Sequence, residues 1–210
     1  MSATVQKGGL RVVKLGGSLL DWPEFPAQLR AWLARQTPAC HAILTGGGGL
    51  ADVIRVLDRN HALGEAASHK LCIDVLAVTA RILSMVLPEA RGPLPPHAIE
   101  RENRSSLVIL DLPKLIELDA QRSARPLPAS WDVTADSIAA RAAVLLGADE
   151  LVLLKSALPQ RAGSLRGYAD AGYVDAHFQV CAKSIGRIRL VSLRDADFAE
   201  VVYSTSQPHR

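Results

Sequence analysis

The first segment whose residue types could do chemistry begins at Lys14. A run of β-branched and apolar residues leads to Lys14, and Gly16, Gly17 and Ser18 follow directly. Consecutive glycines let the backbone turn sharply and bring its N–H groups close to a ligand. A lysine beside those N–H groups adds a positive charge. The segment therefore suits a phosphate chain, which both dipoles and a cation attract.

A second segment of the same kind has four consecutive glycines after a short apolar run. A helix is predicted directly after them, so the glycines would lie at the positive end of the helix dipole, where an anion binds well. A glycine pair after a strand is by itself more often a simple turn. Two such segments in one chain make phosphate binding the better interpretation. The four residues are Gly46, Gly47, Gly48 and Gly49.

Two further polar segments lie in the second half of the chain. Thr134 precedes an apolar helical pattern and is a candidate N-cap, as is Asp132, whereas Asp136 falls in the first turn of that helix. There an acid can be stabilised by the helix dipole alone or can have a functional role. Lys155 ends a predicted strand, at the same edge of the sheet as the glycine segments if the strands are parallel.

The order of elements predicts an α/β fold. Strands alternate with helices, which favours a three-layer α/β/α sandwich with a mostly parallel, doubly wound sheet. Without internal repeats or a clear linker, residues 1–210 are interpreted as a single domain, in which 156–172 is irregular. The predicted strands are 10–15, 42–45, 107–110, 150–155 and 187–192; the predicted helices are 25–36, 50–60, 63–87, 113–118, 134–146, 174–185 and 196–202.

Composition excludes several classes of function. The formal net charge is only +3, and there is no basic run with interleaved aromatic residues, so nucleic acid is not an expected partner. Three widely spaced cysteines without a CxxC motif indicate neither a disulfide framework nor a zinc site. No apolar run reaches the ~20 residues that cross a bilayer, and the first residues lack the features of a signal peptide. We expect a cytoplasmic protein without a membrane partner.

The motifs together resemble those of a known superfamily. Their order and spacing are similar to those of the amino acid kinase superfamily, over essentially the whole chain. Segments 68–71, 130–137 and 174–178 resemble the branch of aminomethylfuran phosphate kinases of methanofuran biosynthesis. The four motifs are Lys14-Leu-Gly-Gly-Ser18, Gly46-Gly-Gly-Gly49, Thr134-Ala-Asp136-Ser137 and Leu153-Leu-Lys155-Ser156.

The resemblance implies a phosphoryl transfer from ATP, with Mg²⁺, to a small phosphate monoester. Lys14 would neutralise the transferring phosphoryl oxygens, and Asp136 would orient Lys14 through an ion pair. The remaining roles follow the same pattern: Gly16, Gly17, Ser18 and Lys155 would bind the donor, and Gly46, Gly47, Gly48, Gly49 and Thr134 the acceptor. Members of the superfamily are commonly oligomers, so we expect at least a homodimer, with the apolar helix 63–87 as a possible oligomer face.

Some features leave alternatives open. Residues 157–160, Ala-Leu-Pro-Gln, stand where many of these kinases have an acidic, glycine-containing turn near the nucleotide. The acceptor could also be a nucleoside monophosphate or a carboxylate, or the chain could be a catalytically silent, anion-binding subunit. His69 and Lys70 are interpreted as solvated or interface residues, with a role in the acceptor site as the alternative. Trp131 is predicted to pack rather than to stack on the acceptor.

Overall fold

A seven-stranded sheet organises the chain. The computed structural model describes residues 9–103, 105–161 and 163–204. The strand order is β3-β4-β2-β1-β5-β6-β7, and all neighbours are parallel except β6 and β7. The strands are β1 (Leu10–Leu15), β2 (Cys40–Thr45), β3 (Arg91–Leu94), β4 (Leu107–Leu110), β5 (Glu150–Lys155), β6 (Arg187–Ser192) and β7 (Glu200–Ser204).

Eight α-helices occur in the described parts of the chain, and a short 3-10 turn, Gly17–Leu19, follows β1. None of these helices combines the length and apolar composition that a membrane span requires. The helices are α1 (Phe25–Ala34), α2 (Gly48–His61), α3 (Glu65–Val86), α4 (Pro96–Ile99), α5 (Leu112–Arg122), α6 (Ala135–Leu145), α7 (Leu165–Asp170) and α8 (Phe178–Ala182).

Helices cover both faces of the sheet, because neighbouring residues of a buried strand point to opposite faces. In β1, Val12 belongs to the apolar cluster that α5, α6 and α8 complete. Val13 belongs to the cluster formed with α1 and the C-terminal half of α3. The central strands β1, β2, β4 and β5 are buried on both faces, as expected for a parallel sheet between helices. The predicted sandwich with a mostly parallel sheet is confirmed.

The last element differs from the prediction. A helix was predicted over 196–202, but Glu200–Ser204 forms β7, antiparallel to β6. The segment contains Val201, Val202 and Tyr203, residue types that favour strands, and its exposure alternates. Strand formation here depends on pairing with the edge of the preceding strand β6, which the spacing of apolar residues within 196–202 does not reveal.

Three other segments also differ. The edge strand β3 was not predicted because it contains a proline, which sheets tolerate at an edge. Within 156–172, predicted to be irregular, Leu165–Asp170 forms α7. Of the helix predicted over 174–185, only Phe178–Ala182 is helical, because Asp175 before it bonds to α6 instead.

Candidate functional site

A cavity of about 390 Å³ opens at the carboxyl ends of β1 and β2. Its walls come from both glycine segments, from α2 and α3, and from the loop that leads into α6. This is the position at which open α/β sheets bind ligands. The volume lies within the range of small-molecule sites. Of the predicted site residues, the following line it: Lys14, Gly17, Ser18, Gly46, Gly47, Gly48, Gly49 and Thr134.

The two glycine segments are packed directly against each other. A Cβ atom on Gly17 would lie 2.2 Å from the backbone nitrogen of Gly48, and one on Gly46 would lie 2.8 Å from the nitrogen of Gly17. Gly48 also has a φ of +55°, which favours glycine. A Cβ atom on Gly49, by contrast, would meet no described atom within 4 Å beyond its own helical backbone. The first three positions therefore need glycine for packing, whereas Gly49 faces open space.

The N-terminus of α2 forms one wall of the cavity. No side chain of the described residues caps it, and its first turn contains no acidic residue. The first N–H groups of a helix have no intrahelical acceptor, so here they are left for a ligand. The N–H groups of Gly16 and Gly46 are used differently: they donate to Leu154 (2.8 Å) and Leu15 (2.9 Å) and fix the loops to the sheet. The N–H of Gly16 is thus not free for a phosphate.

Asp136 lies between two lysines. One carboxylate oxygen is 2.9 Å from Nζ of Lys14, and the other accepts a hydrogen bond of 2.9 Å from Nζ of Lys155. Burial alone would raise the pKa of Asp136, but the two ammonium groups hold it below its ordinary value. Burial lowers the pKa of Lys155, against the opposing effect of Asp136. The ion pair fixes the Lys14 ammonium in the cavity wall.

Lys155 makes contacts that the sequence did not indicate. Its Nζ also donates to the carbonyl of Tyr173 and lies 4.6 Å from the centre of the Tyr173 ring. It does not line the cavity, and nor do Gly16 and Asp136. Ser18, which does line it, shares a hydrogen bond of 3.0 Å between its hydroxyl and that of Ser156. Lys155, which was predicted to bind the donor, thus lies next to the cavity rather than inside it.

Asp175 is the residue that sequence reasoning missed. Its Oδ2 accepts hydrogen bonds from the backbone N–H of Thr134 (2.9 Å) and of Ser137 (2.9 Å), and its Oδ1 accepts one from the Ser137 hydroxyl. The Thr134 hydroxyl donates to Asp175 as well (2.8 Å). Asp175 thereby holds the first turn of α6, which carries Asp136. The resemblance at 174–178 was the signal, but it gave Asp175 no role.

At the other end of the cavity, Trp131 and His69 form the wall. The indole Nε1 of Trp131 donates to Asp58 (2.9 Å), and its backbone N–H donates to Glu65 (2.8 Å). The guanidinium of Arg55 lies 5.2 Å from the centre of the indole ring. These contacts hold Trp131 in place, and the residue also lines the cavity. His69 lines the cavity, whereas its neighbour Lys70 is exposed.

Comparison with solved structures shows which known proteins share this fold. A UMP kinase from Bacillus anthracis superimposes with a TM-score of 0.60 at 12% identity, covering 94% of this chain and all of that chain. Aspartate kinase from Synechocystis superimposes with a TM-score of 0.56 at 16% identity, covering 92% of this chain and 40% of that one. The chain has the fold of the amino acid kinase superfamily.

In sequence, the chain is similar to the (5-(aminomethyl)furan-3-yl)methyl phosphate kinase of Methanocaldococcus jannaschii. The two are 26% identical over 146 residues, which are 69% of this chain and 64% of that protein. The match thus spans less than two thirds of the relative. No family model matches the chain.

Proposed function

We propose that this protein is a kinase that transfers a phosphoryl group from ATP to a small phosphate monoester. The observation that carries the proposal is the position of Lys14. Its ammonium is fixed by Asp136 in the same cavity as the uncapped N-terminus of α2. A cation and a set of backbone N–H groups thus converge on one space, as the binding of two neighbouring anions requires.

The chemistry needs no general base from the protein. A phosphate monoester has a second pKa near 6, so most of it is a dianion at pH 7. One of its oxygens forms a bond to the γ-phosphorus while the bond from that phosphorus to the β,γ-bridging oxygen breaks. ADP leaves with the electron pair, and the product is a diphosphate. Lys14 neutralises charge on the transferring group, and the first turn of α2 holds the acceptor phosphate.

Mg²⁺ would reach the site on the nucleotide. The described residues contain no group of three or more histidine, cysteine or acidic side chains placed to hold a metal ion. We therefore assign no magnesium ligands among the described residues. Magnesium in such enzymes binds largely through the substrate phosphates, whose charge it neutralises.

For the acceptor, we propose an aminomethylfuran phosphate. The relative from Methanocaldococcus jannaschii is named for that substrate. A cavity of about 390 Å³, lined by the uncapped N-terminus of α2 and by several apolar side chains, suits a phosphorylated ring of this size. The apolar side chains are those of Ile73, Leu76, Val133 and Ile138.

The proposal is tested by binding and by turnover. Calorimetric titration with Mg-ATP and with Mg-GTP measures the donor site, and phosphorus NMR with aminomethylfuran phosphate detects the diphosphate product. We expect Lys14→Met to lower kcat by roughly 100-fold or more. The variant should still fold, because Asp136 keeps its bond to Lys155. Lys114→Met, which removes an exposed lysine of α5, is the control and should match the parent.

Two results would contradict the proposal. Equal turnover by the parent and the Lys14→Met variant would remove Lys14 from the chemistry. No turnover by the parent with either nucleotide, combined with binding of phosphate compounds, would favour a catalytically silent, anion-binding subunit. The sequence feature that supports such a subunit is the replacement of the acidic, glycine-containing turn by residues 157–160.

We also propose that the protein is a homo-oligomer. One side of α3 exposes apolar residues at a helical spacing, which marks an interaction surface. Sedimentation equilibrium should give at least a dimer, and Val78→Glu should shift it to a monomer. Val180→Glu, at an exposed valine of α8, is the matched control and should leave the mass unchanged; a monomeric parent would refute the proposal. The exposed residues of α3 are Leu71, Val78, Ile82 and Met85.

A further inference from the structure

His69 has a buried ring nitrogen without a hydrogen-bond partner. The side chain is only 7% exposed, its ring forms part of the cavity wall, and no described residue bonds to its Nε2. Leaving a buried polar atom unsatisfied is costly, so a ligand that satisfies it gains affinity. The χ2 torsion of histidine is broad, so the ring can rotate to meet a ligand in the cavity that it lines.

The imidazole of His69 is a hydrogen-bond acceptor at neutral pH. Burial lowers its pKa below the ordinary value of 6.5, with an opposing effect from Glu65. In a neutral imidazole one nitrogen carries a hydrogen and the other carries a lone pair. Glu65 accepts hydrogen bonds from the hydroxyl of Ser130 (2.7 Å) and from the N–H of Trp131, which hold its pKa low. The neutral imidazole of His69 can accept a hydrogen bond, and the nearby negative charge of Glu65 attracts a cation. Together they favour a ligand group that is positively charged and donates a hydrogen bond.

His69 lies well away, along α3, from the glycines at the N-terminus of α2, where we propose that the acceptor phosphate binds. A Cβ atom on Gly47 would lie 3.3 Å from Cγ1 of Val75, so Val75 marks the level of the glycines. His69 precedes Val75 by six residues, which is about 9 Å along a helix axis. Helical side chains tilt towards the N-terminus, so the ring lies at least that far from the glycines.

This end of the cavity is held in place by several contacts. Glu65 joins the start of α3 to the loop at Trp131, and Asp58 joins the same tryptophan to α2. Asp58 also accepts a hydrogen bond of 3.0 Å from the N–H of Gly64, directly before α3. Contacts among α2, the start of α3 and the loop at Trp131 therefore fix the cavity wall that contains His69. A site that selects a substrate needs such a rigid wall.

We propose that His69 determines acceptor specificity by accepting a hydrogen bond from a primary ammonium group of the acceptor. The acceptor is then a phosphate monoester with a compact, largely apolar middle and an ammonium group at the end opposite the phosphate. This inference rests on the proposed function, and it gives a role to a residue for which the sequence left two interpretations open. His69 affects the choice of acceptor and takes no part in the transfer step.

The test compares two acceptors that differ only in the ammonium group. One is aminomethylfuran phosphate, and the other has a methyl group in place of the aminomethyl group. The parent should have a kcat/KM about 10-fold or more higher for the amine, as expected for a hydrogen bond to a charged group. His69→Leu should abolish this preference by lowering the value for the amine alone. His69→Gln, which retains an acceptor oxygen, should recover part of it.

The control is Lys70→Ala, which removes the neighbouring exposed side chain and should leave both values unchanged. A parent that phosphorylates both compounds equally well would overturn the role of His69 and leave the proposed kinase activity standing. So would a His69→Leu variant that loses the same factor for both compounds. A parent that phosphorylates neither compound, and binds neither by calorimetry, would overturn the acceptor class and this inference together.

Discussion

At the scale of single residues, Asp136 illustrates how one buried carboxylate organises two strands. Lys14 comes from β1 and Lys155 from β5, and each ammonium is 2.9 Å from an oxygen of Asp136. A buried charge without a partner is costly, but here two cations face one anion. The cluster keeps a net positive charge at the edge of the cavity, which a phosphate can neutralise.

The first prediction concerns Asp175, which holds the turn that carries Asp136. Asp175→Ala should lower the free energy of unfolding by about 2–4 kcal/mol, because the N–H groups of Thr134 and Ser137 lose their acceptor. Asp175→Asn should cost only about 1 kcal/mol, since its amide retains one acceptor oxygen. Urea denaturation of the variants measures both values.

The matched control for Asp175 is Asp170→Ala. Asp170 is exposed and its nearest cation, Arg166, is 3.7 Å away, so the substitution should change stability little. Equal stability of the Asp175→Ala and Asp170→Ala variants would show that the first turn of α6 does not depend on Asp175.

At the scale of elements, alanine substitutions in the two glycine loops should change the stability of the protein in different directions at Gly17 and at Gly49. Gly17→Ala would place a methyl group 2.2 Å from the nitrogen of Gly48. It should cost about 2–3 kcal/mol of stability and abolish ligand binding. Gly49→Ala lies in a helical turn with open space around it, so it should be neutral or stabilising by up to about 1 kcal/mol.

The effect of Gly49→Ala on the acceptor separates packing from binding. A methyl group in the open space in front of α2 should raise KM for the acceptor without lowering stability. Thermal unfolding and steady-state kinetics measure the two quantities. If KM for the acceptor is unchanged, the acceptor phosphate does not occupy the space at Gly49.

Sequence patterns predicted those elements whose signal is local. The alternation of strands and helices, the long helix α3 and the N-cap at Thr134 are visible in neighbouring residues, and the structure confirms them. The bonds of Asp175 to α6 were not predicted, because the bonded residues lie far apart in the sequence. The strand β7 pairs with the preceding strand, and it was missed because the apolar residues of 196–202 were interpreted as a helical pattern. Asp175 accepts a hydrogen bond from Ser137, 38 positions away, and patterns of neighbouring residues cannot predict such a contact.

At the scale of the whole molecule, the two edges of the sheet have different compositions. The carboxyl edge carries the cavity, whereas the amino edge carries a buried charge network. There Arg11 pairs with Glu150 on the adjacent strand, and Glu150 also accepts a hydrogen bond of 2.6 Å from Arg187. His41 on the other neighbouring strand lies 3.3 Å from Arg11. Charges at this edge concern stability rather than chemistry.

The prediction at this scale is a loss of stability in acid. Burial, and then the charge of Arg11, lower the pKa of His41 from 6.5 to about 4. The unfolded chain therefore binds a proton below pH 6.5 that the folded protein excludes until about pH 4. The stability contributed by neutral His41 is complete above pH 6.5 and is lost as the pH falls from 6.5 towards 4, by about 3 kcal/mol in total.

Chemical denaturation at pH 7.5 and at pH 4.5 measures this loss. The difference in unfolding free energy between the two pH values should be about 2–3 kcal/mol smaller in His41→Leu than in the parent. His61→Leu, at an exposed histidine at the end of α2, is the control and should retain the parent's difference. An unchanged difference in the His41→Leu variant would mean that the folded protein accepts the proton.

The contact between Gly17 and Gly48 also bears on how the two substrates would influence each other. The backbones of the two loops lie in contact, so an ordered position of one loop limits the movement of the other. A ligand that orders one loop therefore lowers the entropic cost of ordering its neighbour, which produces positive cooperativity without a change of shape. The effect must be reciprocal: the factor by which the nucleotide tightens acceptor binding equals the factor by which the acceptor tightens nucleotide binding.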